Sequence, residues 1–275
     1  MTDASPPRPP SDRPPSEGSR KDLPSQKDLA LWEGLRRLTA ARIGLARSGG
    51  SLATAPLLDF RLAHSRARDA VQEPLDLAQL AAALAGLSDP VLAVASAAAT
   101  RSDYLMRPDL GRRLDADGDA ILAPHAGRYD VVFVIADGLA ARAVAAHARP
   151  VLAPAIEALH AQGWRIAPLV VVRHGRVAIG DAIAATLGAQ CAASLIGERP
   201  GLSAADSMGA YLTFRPHPGT TDADRNCISN IRPEGLSYAD AAFKIVHMLG
   251  AIRTARLSGV RLKDDSGRLI EGGRT

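Results

Sequence analysis

The chain has 275 residues, 47% of them hydrophobic, and a formal net charge of +4. That length admits one large or two modest domains, since compact domains run roughly 100 to 200 residues. No apolar stretch reaches the ~18 residues of a membrane span, and dispersed Arg with only 4% aromatics argues against a nucleic-acid surface.

Residues 1–25 contain seven prolines and almost no large apolar side chain. Such a composition buries too little surface to offset the entropy of ordering, so a disordered Pro/Ser-rich tail is expected over 1–27. From 28 to 117 the pattern predicts helices: DLALWEGLRRL, TAPLLDFRLAHSRARDAV, DLAQLAAALAGL and DPVLAVASAAAT. Thr54 and Asp89, each shortly before a proline, read as N-caps, and Gly86 suits a helix end.

The rhythm changes over 118–265. DVVFVIADG is a β-branched run, LAARAVAAHA and APAIEALHAQG are two helical segments, PLVVVRHG is a strand, DAIAATLG a helix and AQCAASLIGE a strand. GAYLTFRPHP adds a further strand, whereas TTDADRNCISNIRPEGLS shows neither periodicity and reads as an irregular polar segment. The helix over SYADAAFKIVHMLGAIRTARLSG opens on a capping pair, Ser237 and Asp240, and carries Ala242, Ile245, Val246, Leu249 and Ile252 as one stripe. Residues 266–275 read as a flexible tail. The predicted class is α/β, a mostly parallel sheet covered on both faces and preceded by a helical region.

In open α/β sheets ligands bind beyond the carboxyl ends of the strands. The relevant loops are Asp137-Gly138, Arg173 to Val177, and Gly197-Glu198-Arg199-Pro200-Gly201. Glu198 can face a ligand as an acceptor, or pair with Arg199 or another Arg in a structural turn. Asp137 suits a helix cap or a metal ligand, and His174 suits a loop position better than a catalytic one. Cys227 is expected buried and inert, because no histidine lies near it in sequence to act as its base. Two dispersed cysteines make no disulfide framework, and a reducing cytoplasm is the expected compartment. No Gly-rich dinucleotide or phosphate loop, metal-ligand spacing or GxSxG elbow occurs. Alternatives left open are a self-sufficient transferase or phosphatase built on Asp137-Gly138 and the Arg173 to Arg176 loop, and a non-enzymatic scaffold using the Ala-rich helices.

Taken in order, LDFRLAHSRARDAV, YLMRPDLGRRL, FVIADGLAARAV, GRVAIGDAIAATLGA, LIGERPGLSAADSMGAYLTF, DRNCISNIRPEGLSYADAA and SGVRLKD resemble the small (light) subunit of ethanolamine ammonia-lyase. The resemblance spans Leu31 to Lys263. It implies an adenosylcobalamin-dependent enzyme converting ethanolamine to acetaldehyde and ammonia by radical chemistry. It further implies a Rossmann-like domain over 118–265 that shares its cobalamin with a large, TIM-barrel subunit in a hetero-oligomer, in the cytoplasm or a bacterial microcompartment within it. By motif, the implied cobalamin contacts are Val177 in GRVAIGD, Glu198 in LIGERPG and Cys227 in DRNCISN, with no catalytic residue or metal ligand in this subunit. No DxHxxG run occurs, which is consistent with a cofactor that keeps its own lower base.

Overall fold

This computed structural model describes residues 26–45, 47–48, 50–217 and 219–267. Nearly all of the expected N-terminal tail, and all of the C-terminal tail beyond Gly267, lie outside them. The chain divides into two compact units, 1–62 and 63–275.

In the first unit, helix α1 (Gln26–Arg36) ends on Arg36. The Arg36 guanidinium donates to the carbonyls of Ile43 (3.1 Å) and Gly44 (2.6 Å). Two short strands, β1 (Arg47–Ser48) and β2 (Ser51–Leu52), pair antiparallel. Helix α2 (Thr54–Gln72) crosses the division between the units. Its first backbone bond runs from the Leu57 N–H to the Ala53 carbonyl, so Thr54 is the first helical residue and the expected cap lies one residue earlier.

The second unit opens with α3 (Leu77–Leu84), where Asp76 accepts the Gln79 N–H at 2.9 Å and Gly86 follows the end with φ +84°. Then come β3 (Val91–Ala95), α4 (Arg101–Met106), α5 (Gly118–Leu122), β4 (Tyr129–Ala136) and α6 (Ala141–Ala161). They are followed by β5 (Leu169–Arg173), α7 (Ile179–Leu187), β6 (Ala189–Gly197), β7 (Met208–Phe214), β8 (Arg225–Ile231) and α8 (Tyr238–Ala255).

Six strands form one sheet in the order β3-β5-β4-β6-β7-β8. The first four are parallel, while β7 and β8 are added antiparallel beyond β6. Helices α3, α6 and α8 cover one face through Leu84, Val151, Leu152, Leu159, Ile245 and Leu249, packed on Phe133, Leu195, Leu212 and Ile228. Helix α7 covers the other face through Ile179, Ile183 and Leu187, packed on Val132, Val134, Val170 and Val172. β4 is buried on both faces, which is why its sequence is a continuous apolar run. No described helix is long and apolar enough to cross a membrane.

Three sequence expectations are corrected. The DPVLAVASAAAT segment is not helical: Leu92 and Val94 point inward with Ala93 outward, so tertiary pairing with β5 makes Val91–Ala95 a strand and Asp89 caps no helix. The two helices expected between β4 and β5 are the single α6, because Pro150 and Pro154 both lie on its exposed side, where the lost N–H groups leave no buried acceptor unmet. The third is β8, expected from its sequence as an irregular polar segment. Ile228 and Ile231 both face the core although three positions apart, because a bulge interrupts the pairing opposite Gly209 and breaks the alternation that marks a strand.

Candidate functional site

The carboxyl ends of β3, β4 and β5 are closed by the buried Asp137 carboxylate and the Arg101 guanidinium. Asp137, only 1% exposed, accepts the Gly175 N–H through Oδ1 (3.0 Å) and meets Arg101 Nη1 through Oδ2 (3.4 Å). Arg101 also donates to the carbonyls of Gly138 (2.8 Å) and Val71 (2.7 Å). Burial pushes the Asp137 carboxyl above the usual carboxylate range, against the opposing pull of backbone N–H bonds and the Arg101 charge. Gly138 sits at φ +56°, against the Gly197 carbonyl, so a side chain there meets both a strained backbone and a clash. Tyr104, fully buried, lies between Arg101 and Arg176, whose guanidinium carbons stand 4.8 and 4.5 Å from its ring centroid. Asp137 is therefore an internal anchor. The cap position of α6 is Ala140, not Asp137, and with both carboxylate oxygens engaged Asp137 is not arranged as a metal ligand. His174, at φ +57°, bonds the Ala98 carbonyl through Nδ1 (2.9 Å), the loop role its sequence suggested.

The second carboxyl-end region is open. On β6, β7 and β8 the side chains that face away from α6 and α8 fall into rows set by the pairing. Thr213 stands opposite Arg225, and Tyr211 stands between Ser194 and Cys227. The Thr213–Arg225 row is closed, since Arg225 donates to Asp181 in the first turn of α7 (2.6 and 2.7 Å) and to Thr213 (3.0 Å). The Tyr211 row lies beyond that closure: Tyr211 is half-buried and Cys227 is exposed. This corrects the expectation of a buried Cys227. Its neighbours on β8 facing the core are Ile228 and Ile231, so the strand turns the thiol outward.

Val177, half-buried, packs against the cluster beneath α7, and its carbonyl accepts the Gly180 N–H (3.1 Å) and faces the Ser194 hydroxyl at 3.5 Å. Glu198 begins the connection from β6 to β7. Its backbone N–H bonds the Ser207 carbonyl (3.0 Å), and its Oε2 accepts the Asn230 N–H (3.2 Å), an amide freed by the bulge in β8. The Glu198–Arg199 pairing considered from sequence is not formed. Gly209 lies between Glu198 and Tyr211: a Cβ built there would come within 2.9 Å of Glu198 Oε1 and 3.3 Å of the Tyr211 ring. Cys227 Sγ sits 3.1 Å from the Ser229 hydroxyl.

The three residues named from sequence thus come from three separate segments to one face, linked by Ser194 and Tyr211. Sequence reasoning missed Tyr211. The signal was available in GAYLTF, where Ala210 and Leu212 face the core and alternation sends the tyrosine to the other side. Burial first, then the Cys227 charge and a Cys227 hydrogen bond, and then Glu198, push the Tyr211 phenol far above its usual range. The groups assembled here are hydroxyls, a thiol and a carboxylate oxygen, a set suited to holding an uncharged polar ligand by hydrogen bonds.

The ethanolamine ammonia-lyase light chain (EutC) family model matches residues 30–263. The chain is similar to the ethanolamine ammonia-lyase small subunit of Ralstonia nicotianae, 49% identical over 93% of this chain and 96% of the relative. Those of Azotobacter vinelandii (52% identical; 86% of this chain and 88% of the relative) and Pseudomonas fluorescens SBW25 (49%; 90% and 91%) are similar to it along nearly as much of their length. A match of this extent, taking in every element of the sheet and the face built on β6, β7 and β8, means that the chain belongs to the ethanolamine ammonia-lyase light chain family.

Proposed function

We propose that this chain is the small subunit of an adenosylcobalamin-dependent ethanolamine ammonia-lyase, serving ethanolamine degradation, and that the open face of β6, β7 and β8 supplies part of its cobalamin pocket. The observation that carries this reading is the placement of Glu198 and Cys227 beside Tyr211, with Val177 joined to the same row through Ser194. Within 118–265, three parallel strands, β4, β5 and β6, joined by the crossover helices α6 and α7 on opposite faces, support its description as Rossmann-like.

The residues fit such a group. Cobalamin presents amides, a ribose and a phosphate around a bulky ring, and this face offers an acceptor in Glu198 Oε1, donors in Tyr211 and Ser229, and a glycine in place of a side chain at its centre. When bound, adenosylcobalamin supplies the radical that converts ethanolamine to acetaldehyde and ammonia. Glu198 orients the cofactor by accepting from an amide or hydroxyl, Val177 lends an apolar edge and Cys227 a weak polar contact. None of these residues exchanges a proton with the substrate. A large TIM-barrel subunit is the proposed partner that closes the pocket and carries the substrate site, in a hetero-oligomer.

Ammonia release from ethanolamine with adenosylcobalamin, compared for this chain alone, a large subunit alone and the co-purified pair, tests the reading. Activity is expected only in the pair. A pair that assembles but binds no corrinoid would overturn the pocket.

A further inference from the structure

We infer that Tyr211 is a contact residue of this pocket, which holds the Cys227 thiol in place and presents its ring and hydroxyl to the bound corrinoid. The inference rests on the cofactor reading above. Tyr211 stands beside Ser194, Cys227 and the space over Gly209 that Glu198 borders. Ser194, which reaches the Val177 carbonyl, is its direct partner across β6, and Cys227 is its direct partner across β8. Directly opposed side chains in antiparallel strands have Cβ atoms about 5 Å apart, close enough to fix each other's position. The ring edge also shares the space above Gly209 with Glu198 Oε1.

Tyr211 lies outside the core beneath α6 and α8 and packs only at the margin of the cluster beneath α7. Ala210 and Leu212 supply the packing beneath α6 and α8, while the Tyr211 ring lies half-buried on the side where, beyond α7, no described helix covers β7 and β8. An aromatic with an apolar body and a polar tip suits a site that takes a large ring fringed with amides. Its phenol, held protonated by burial and by the neighbouring Cys227 and Glu198, remains a donor across the physiological range.

The test uses the complex of this chain with the large subunit and titrates it with cyanocobalamin, which binds without turning over. Tyr211→Phe is expected to weaken binding about three- to tenfold, the effect of one lost hydrogen bond, at an unchanged melting temperature. Tyr211→His, which keeps a ring and a donor, is expected to recover part of that loss. In the full chain alone, Tyr211→Phe is expected to change the rate of maleimide labelling of Cys227, its direct partner across β8, because the phenol hydrogen bond to the thiol is lost; Cys191, the other cysteine, is buried and stays silent. If Tyr211→Phe binds and labels as wild type while Glu198→Ala binds weakly, Tyr211 is no contact although the pocket stands. If all three variants bind as wild type, the pocket itself is misassigned and the inference goes with it. A Tyr211→Phe complex that loses its fold marks a structural residue and overturns the proposal equally.

Discussion

Glu198 has two oxygens in different employment: Oε2 holds the bulge amide of Asn230, while Oε1 borders the open face. Glu198→Gln keeps an acceptor for Asn230, so its melting temperature is expected to match wild type, whereas Glu198→Ala is expected to lose about 1 kcal/mol in urea unfolding. Both are expected to weaken corrinoid binding, which separates the ligand role from the structural one. The position of Glu198 was legible, because Gly-Glu-Arg-Pro-Gly closes an apolar run. Its partner was not, because Asn230 offers its amide only where pairing with β7 is broken, and no spacing in the sequence announces that. A second group of residues sets the alkaline limit. Burial raises the Cys191 thiol from 9.0 and the Tyr104 phenol from 10.0, each to about 12. Both are acids that the folded state keeps protonated after the unfolded chain has released them. The stability they contribute is complete below about pH 9 and is lost as pH rises to about 12. Tyr104→Phe is expected to move the alkaline unfolding midpoint upward, as followed by circular dichroism.

Between elements, the shortest ion pair among the described residues is Arg225–Asp181, which ties α7 to β8 with Arg225 only 3% exposed in its side chain. Arg225→Ala leaves Asp181 without its partner in a nearly closed site and is expected to cost about 3 kcal/mol in urea unfolding. Replacing both residues by leucine or methionine is expected to recover most of that, because the pair's desolvation cost disappears with it. Ser237 accepts the Asp240 N–H at 3.1 Å at the start of α8, and Ser237→Ala is expected to cost about 1 kcal/mol. The cap and stripe of α8 were readable because both are local: Ala242, Ile245, Leu249 and Ile252 are buried as their spacing requires, with Val246 at the edge. The strands of this sheet that escaped, β3 and β8, are its two edges. An edge strand borrows its conformation from one neighbour, so an Ala-rich or polar sequence becomes a strand there without showing the pattern of one.

Over the whole molecule, the alternation of strands and helices gave away a mostly parallel sheet, and the strand-end rule led to two regions of which one proves closed and one open. Nothing local distinguished them, since the difference depends on which face α7 covers and where it stops. If the open face joins a partner around a shared ligand, adding cyanocobalamin is expected to raise the melting temperature of the pair and not that of this chain alone. The late arrival of β7 and β8 carries a consequence for synthesis. Val177 and Cys227 are 50 residues apart, so on the ribosome, at roughly 5–20 residues per second, one is made about 3–10 s before the other. Within that interval β6 has an unpaired edge until β7 follows it, and α8, which later seals Met208, Ile228 and Ile231, has not been made. A nascent chain therefore has no finished face to offer a partner, and assembly waits for the last helix to leave the ribosome.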